Sequence, residues 1–115
     1  MLDLDFDKLQ GLLPAVLQDA GTGAVLMVGF MNREALEKTL RTGYATFFSR
    51  TRNRLWTKGE TSGNLAVVES IATDCDRDTL LLRVRVAGSG LICHQGTVSC
   101  FAESIDLPFA QGGPQ

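Results

Sequence analysis

Every cysteine of this 115-residue chain, and its single histidine, falls between positions 75 and 100. They sit in two short stretches, Asp74-Cys75-Asp76-Arg77-Asp78 and Cys93-His94-Gln95-Gly96-Thr97-Val98-Ser99-Cys100. Three thiolates can hold one zinc ion and leave a fourth tetrahedral position for water, the layout of a catalytic rather than a structural zinc. The alternating carboxylates offer hard oxygen ligands, which suit magnesium better than zinc. One soft site beside one hard site points to metal-assisted hydrolysis of a substrate that carries phosphate.

Free cysteine is often a small buried hydrophobe, so the cluster has to be weighed as a whole. A disulfide would use two of the thiols and strand the third. Residues 1–8 are acidic, with Asp3, Asp5 and Asp7, and have no basic start followed by an apolar run. No secretory signal is therefore expected, and a reducing cytoplasm is the expected compartment, where clustered Cys and His mean metal or catalysis. Cys93-x6-Cys100 is not a zinc-finger spacing, paired Cys-x-x-Cys knuckles are absent, and so is the Pro-Cys-x-x-Cys signature of nucleobase deaminases. The metal must then draw on ligands distant in sequence. His94, beside a candidate ligand, could be a fourth ligand, a general acid/base or a satisfied core residue.

On an extended strand Asp74, Asp76 and Asp78 would share one face, with Cys75 on the other. Alternate residues lie about 6.5 Å apart, so two neighbours can share an ion and the third needs a bend, expected near Arg77. Zinc and magnesium would then lie on opposite sides of this segment. A separate cationic group, Arg50, Arg52, Arg54 and Lys58, places four of the eleven basic residues within nine positions. Net charge is −2, so the whole molecule has no electrostatic pull toward nucleic acid. The longest apolar runs, such as Leu80-Leu81-Leu82, are far too short to cross a membrane as a helix.

The elements that must position these groups can be read in order. Leu13 to Ala20 and Ala24 to Phe30 are apolar runs joined by a glycine-containing turn, which predicts a β-hairpin. Asn32 reads as a helix N-cap and Gly43 as the C′ stop. Between them Leu36 and Leu40 form the apolar stripe, with Glu34/Lys38 and Glu37/Arg41 paired at i,i+4 on the wet side. Ala45 to Ser49, Leu65 to Ile71 and Thr79 to Val86 read as strands. In the last, Leu80, Leu82, Val84 and Val86 share a face while Arg83 and Arg85 face solvent. Val98 to Ala102 is expected as a final strand, and residues 107–115 as a frayed tail. The fold class is α+β, a mainly antiparallel small β fold with one principal helix, in a single domain over residues 1–115.

These residues, in this order, resemble phosphoribosyl-AMP cyclohydrolase, the ring-opening enzyme family of histidine biosynthesis. The similarity runs from Leu13-Pro14-Ala15 through Met31-Asn32-Arg33-Glu34-Ala35-Leu36 to Ser99-Cys100-Phe101. Its most specific portions are Ser49-Arg50-Thr51-Arg52, the run Leu55-Trp56-Thr57-Lys58-Gly59-Glu60-Thr61-Ser62-Gly63-Asn64, the Asp74–Asp78 stretch, and Cys93-His94 with Cys100. Thr51 stands where the family's pattern usually has a second serine. Some relatives carry a fused pyrophosphohydrolase domain; only the cyclohydrolase activity is expected here.

The resemblance implies that Cys75, Cys93 and Cys100 hold one zinc per subunit, with Cys75 supplied by the partner in an intertwined homodimer. It implies that Asp74, Asp76 and Asp78 hold magnesium, that His94 transfers protons, and that the fold is a pseudo-barrel of antiparallel strands. The implied substrate is AMP bearing a phosphoribosyl group on N1. Zinc lowers the pKa of a water toward neutrality, and the resulting hydroxide attacks C6 and opens the ring between N1 and C6. Two phosphates need cations: Arg50, Arg52 and Lys58 are the candidates, with Ser62, Gly63 and Asn64 as a backbone cradle. Trp56 could stack on the purine or pack to anchor its loop. A zinc deaminase would differ by releasing ammonia. A zinc-stabilised RNA-binding module would need a broadly basic surface and a fourth committed ligand, and the sequence has neither.

Overall fold

A computed structural model describes residues 3–93 and 95–108. The first hairpin forms where it was expected, from β1 (Leu13–Asp19) and β2 (Val25–Met31), antiparallel with Leu13 opposite Met31. Asp19 closes its turn, Oδ2 accepting from the backbone N–H of Gly21 at 3.0 Å and Thr22 at 2.7 Å. Helix α1 (Arg33–Thr42) begins at Asn32, whose Oδ1 accepts from Ala35 N–H at 2.8 Å. It ends at Gly43, in the left-handed region with φ 82°. Both boundaries are local chemistry, an N-terminal side-chain acceptor and a residue without Cβ, and both were legible.

The helix face differs from the expected stripe. Ala35, Leu36 and Thr39 are buried, whereas Leu40 is 51% exposed. Thr39 belongs inside because its hydroxyl donates to the Ala35 carbonyl and accepts from Thr46 N–H at 3.0 Å, so its polar atom is satisfied there. Neither Glu34/Lys38 nor Glu37/Arg41 closes into an ion pair; among the described residues, salt bridges run instead from Lys8 to Asp76 and Asp78 and between Arg85 and Glu69.

Strand β3 (Thr46–Ser49) pairs with β4 (Arg54–Thr57), a strand within the basic stretch that is not among those expected. Its signal was present: Asn53 takes a positive φ of 53° at the turn, a conformation Asn tolerates, and Leu55-Trp56-Thr57 favours strand. Strands β5 (Ala66–Thr73) and β6 (Leu80–Val86) form the third hairpin. The larger sheet runs β2-β1-β6-β5 and β3-β4 stand as a second sheet. Within the larger sheet β1 and β6 are parallel, Ala15 opposite Leu80, so the arrangement is mainly but not wholly antiparallel. An alternating buried face looks the same in either direction, and only the path of the chain decides it. The expected strand at Val98–Ala102 is not formed. The segment instead docks on β2 through single bonds, Cys100 N–H to the Leu26 carbonyl at 2.7 Å and Ser99 Oγ to the Val25 carbonyl at 2.7 Å. Leu107 is exposed and lies outside regular structure, and residues 109–115 of the expected tail are outside the described residues.

The core lies on one face of the larger sheet. Leu13, Ala15 and Leu17 of β1 and Leu80, Leu82 and Val84 of β6 are buried, while Arg83 and Arg85 stay exposed as expected. Phe47 of β3 is fully buried over Gly29 of β2, where an added Cβ would lie 2.6 Å from the ring. That close approach brings the second sheet onto the first. Backbone bonds from Ala45 N–H to Ala66 O at 3.0 Å and from Lys58 N–H to Ala45 O at 3.0 Å then fix the basic hairpin relative to β5. No helix among the described residues is long and apolar enough to cross a membrane.

Candidate active site

The three aspartates sit in the turn between β5 and β6. Arg77 takes a φ of 61°, the bend expected there, and its N–H donates to the Asp74 carbonyl at 3.1 Å. Asp74 Oδ1 accepts from the N–H groups of Asp78 at 3.0 Å and Thr79 at 3.2 Å, which holds the turn closed. As a result Asp74, Asp76 and Asp78 each bring a carboxylate oxygen to within 4.8 Å of the others. The turn, rather than strand alternation, gathers all three. Among the described residues this is the one set of three or more Cys, His, Asp or Glu groups so gathered.

Lys8 reaches into this set, its Nζ 3.0 Å from Asp76 Oδ2 and 3.0 Å from Asp78 Oδ2. Its hydrogen bonds to Asp78 and then Asp76 push the Lys8 pKa up. Asp76 is held at about 2, by Lys8 first and then by Asp78 and Asp74. Asp78 shares the same lysine, which draws it down, yet its net shift is upward because Asp74, desolvation and Asp76 oppose its charge. Of two carboxylates crowded on one cation, the more open one is the more acidic. An all-oxygen donor set that already attracts an ammonium group fits a hard divalent cation.

Beyond β6, Cys93 lies in a tight turn, its N–H donating to the Thr97 carbonyl at 3.0 Å and its carbonyl accepting from Gly96 N–H at 2.9 Å. This turn folds the chain back so that Cys100 comes near enough to Cys93 for each thiol to perturb the other's ionisation. The Cys93 thiol is shifted down, chiefly by the Gln95 backbone N–H, then by Thr97, Cys100 and the Lys58 charge. Cys100 is shifted up by desolvation of its thiol and by Cys93, although the residue as a whole is exposed. Two neighbouring thiols, one of them shifted toward its thiolate, fit a soft metal. Cys75, exposed in the aspartate turn, does not join them within this chain. His94 lies outside the described residues.

A cavity of about 280 Å³ opens beside the thiol turn, lined by Lys58, Ser62, Asn64, Leu91, Ile92, Cys93 and Gly96. It shares Lys58 and Ser62 with a second cavity of about 320 Å³, whose other walls include Arg52, Arg54, Trp56 and Glu60. The structure thus brings Arg52, Trp56, Lys58, Ser62 and Asn64 to two adjoining cavities, one of them lined by Cys93. Arg54 and Glu60, which are not among the expected ligands, join them. The side-chain alternation of β4 puts Arg54 and Trp56 on the same face, a signal that depends on recognising the strand. Trp56 is half-buried against Phe47, ring centroids 5.0 Å apart, and Lys58 Nζ stands 5.9 Å from its ring centre. Gly63, with φ 84°, closes the 59–63 turn, its N–H donating to the Gly59 carbonyl at 2.8 Å. Arg50 is elsewhere. Its guanidinium lies 4.2 Å over the Phe30 ring, beside a cavity it shares with Lys8.

Comparison with known proteins bears on this arrangement. The family model described as phosphoribosyl-AMP cyclohydrolase matches residues 27–102, which include the aspartate turn, both cavities and all three cysteines. The phosphoribosyl-AMP cyclohydrolase of Desulfatibacillum aliphaticivorans is 57% identical over 92% of this chain and 84% of its own length. That of Chelativorans sp. is 60% identical over 84% of this chain and 70% of its own length. The histidine biosynthesis bifunctional protein HisIE of Bacteroides thetaiotaomicron is 57% identical over 93% of this chain but 52% of its own length. The chain spans about half the length of such bifunctional relatives.

Proposed function

The chain belongs to the phosphoribosyl-AMP cyclohydrolase family, and from that premise we propose that it hydrolyses the adenine ring of N1-(5-phosphoribosyl)-AMP between N1 and C6, in histidine biosynthesis. The observation that carries this reading is Cys93, with Cys100 as its neighbour, opening onto a cavity whose wall continues into a cationic one. A reacting ring beside Cys93 and Cys100 would have its phosphates within reach of Lys58, Arg52 and Arg54. Pockets of this size suit a nucleotide-sized ligand. Net hydrolysis adds the water oxygen to C6, breaks N1–C6 and delivers a proton to N1. The exocyclic amino group stays in the resulting carboxamide.

Cys93 and Cys100 would hold the zinc ion, and Asp74, Asp76 and Asp78 the magnesium ion. Zinc, when bound, supplies a water of lowered pKa, and magnesium supplies charge for phosphate. We assign Cys75 as the third thiol, reaching the site from a second copy in an intertwined homodimer. Its exposure, and the absence of a cluster of all three thiols among the described residues, support this, and the pseudo-barrel would form on dimerisation. Val98, Phe101, Ile105 and Leu107, all more than half exposed, provide apolar surface for such a contact. His94 would move the proton between water and N1. Lys58 would orient a phosphate and Trp56 would present an apolar wall to the base. A reducing cytoplasm fits free thiols in this role.

The test is to incubate the metal-loaded protein with phosphoribosyl-AMP and follow the ultraviolet change of ring opening together with ammonia. A spectral change without ammonia is expected. Ammonia release would make the protein a deaminase, and no change would refute the proposal.

A further inference from the structure

We propose that Asn64 is a positioning residue, whose side-chain amide clamps the loop carrying Cys93 to the turn carrying Lys58 and Ser62. The role rests on the zinc reading above, because what the clamp sets is the placement of the thiol pair beside the cationic wall. Asn64 Nδ2 donates to the Leu91 carbonyl at 2.9 Å, and Oδ1 accepts from the Ser89 N–H at 2.9 Å. A backbone N–H can only donate and a carbonyl can only accept, so the partners fix which way the amide faces. An amide supplies one of each in a single plane; a carboxylate cannot donate and alanine can do neither.

The surrounding backbone is shaped for this contact. At Gly88, with φ 69°, an added Cβ would lie 2.3 Å from Asn64 Oδ1 and 2.9 Å from the Gly63 carbonyl oxygen. At Gly59, with φ 82°, it would lie 2.2 Å from the Asn64 carbonyl oxygen. Gly88 thus lets the two loops touch through the Asn64 amide, while Gly59 lets its own turn pack on the Asn64 backbone, which Ser62 Oγ also holds by accepting from Asn64 N–H at 3.2 Å. Beyond Leu91 the chain passes through Ile92, which is buried, and reaches Cys93. A fixed carbonyl at Leu91 and an anchored side chain at Ile92 leave the Cys93 backbone little freedom. The amide is therefore committed to protein, which assigns Asn64 to positioning rather than to direct substrate contact.

The test uses cobalt(II), which occupies thiolate sites and reports their geometry through visible and thiolate-to-metal charge-transfer bands. In Asn64→Ala the cobalt affinity should fall roughly 10-fold or more, the typical effect of losing a supporting bond behind a metal site. Its bands should shift, and kcat for ring opening should fall with KM near the native value. Asn64→Asp keeps the acceptor for Ser89 and loses the donor to Leu91, so it should fall between the two. It carries the same expectation if the alanine variant does not fold. Native cobalt affinity and spectrum in the variants, with a raised KM alone, would overturn the clamp and make Asn64 a substrate ligand. A native protein with no thiolate band would remove the zinc premise and the clamp's role with it, a result seen before any variant is compared.

Discussion

Two glycines of one turn show how much a single residue's surroundings decide. Gly59 and Gly63 both have positive φ, 82° and 84°, but a Cβ at Gly59 would collide with the Asn64 backbone while one at Gly63 would meet nothing within 4 Å. Gly63→Ala should therefore cost only the left-handed strain, about 1–2 kcal/mol. Gly59→Ala should cost more than about 2 kcal/mol and displace Asn64. Urea unfolding of the two variants checks the order; equal losses would mean that the turn relaxes freely. His94 allows a second prediction at this scale. Three thiolates leave one position for water, and a fourth protein ligand would block it. His94→Asn should keep its zinc and lose turnover by a factor on the order of 10²–10⁴. Zinc lost together with activity would make His94 a ligand.

At the scale of elements, turns do more here than strands. The β1–β2 turn is held by the Asp19 carboxylate, whose pKa is lowered chiefly by the Thr22 backbone N–H and side chain. A group with a depressed folded-state pKa contributes stability that is present above its unfolded value of about 3.9, and loses it as pH falls through the lower folded value. Asp19→Asn keeps an acceptor without the charge. The stability difference between native protein and variant should thus shrink as pH falls from about 5 toward 3. A difference constant over that range in urea titrations would separate the carboxylate from the turn. The amino-terminal arm meets the aspartate turn through Asp5 N–H to the Arg77 carbonyl at 2.7 Å and through Lys8. A divalent cation on the same oxygens must displace that ammonium group. Lys8→Met should tighten Mg²⁺ binding by roughly two- to tenfold, in keeping with exposed ion pairs. Calorimetry at fixed ionic strength would show it, and an unchanged affinity would mean that Lys8 swings aside without cost.

The whole molecule holds only part of its proposed zinc site in one chain, with Cys93 and Cys100 as neighbours and Cys75 in the aspartate turn, outside any cluster with them. If the site is completed across a dimer, Cys75→Ala and Cys93→Ala should each be inactive alone. Co-expressed, a mixed dimer loses both ligands at one site and keeps all three at the other. Random pairing makes half the dimers mixed, so activity should recover to roughly a quarter of native by symmetry. If verified mixed dimers show no recovery, the sites are not shared.

Much of this protein follows from short-range rules that need no fold. Asn32 and Gly43 bound the helix by capping and by left-handed backbone, and alternation along β6 marks its buried face. Oxygen and sulfur donor types separate the aspartates from the cysteines before any distance is known. What the tertiary structure decided are relations across long stretches of chain. The parallel pairing of β1 with β6 depends on the route between them, and the burial of Thr39 in place of Leu40 depends on a partner at Thr46. The segment at Val98–Ala102 has strand-forming residues but meets β2 through isolated bonds rather than a ladder. Lys8 joins the aspartates across 68 to 70 residues of sequence, and Asn64 joins Leu91 across 27. Local spacing tells which groups can share a face of one element; which elements meet is set by how the whole chain buries its apolar surface, and that is where this site is assembled.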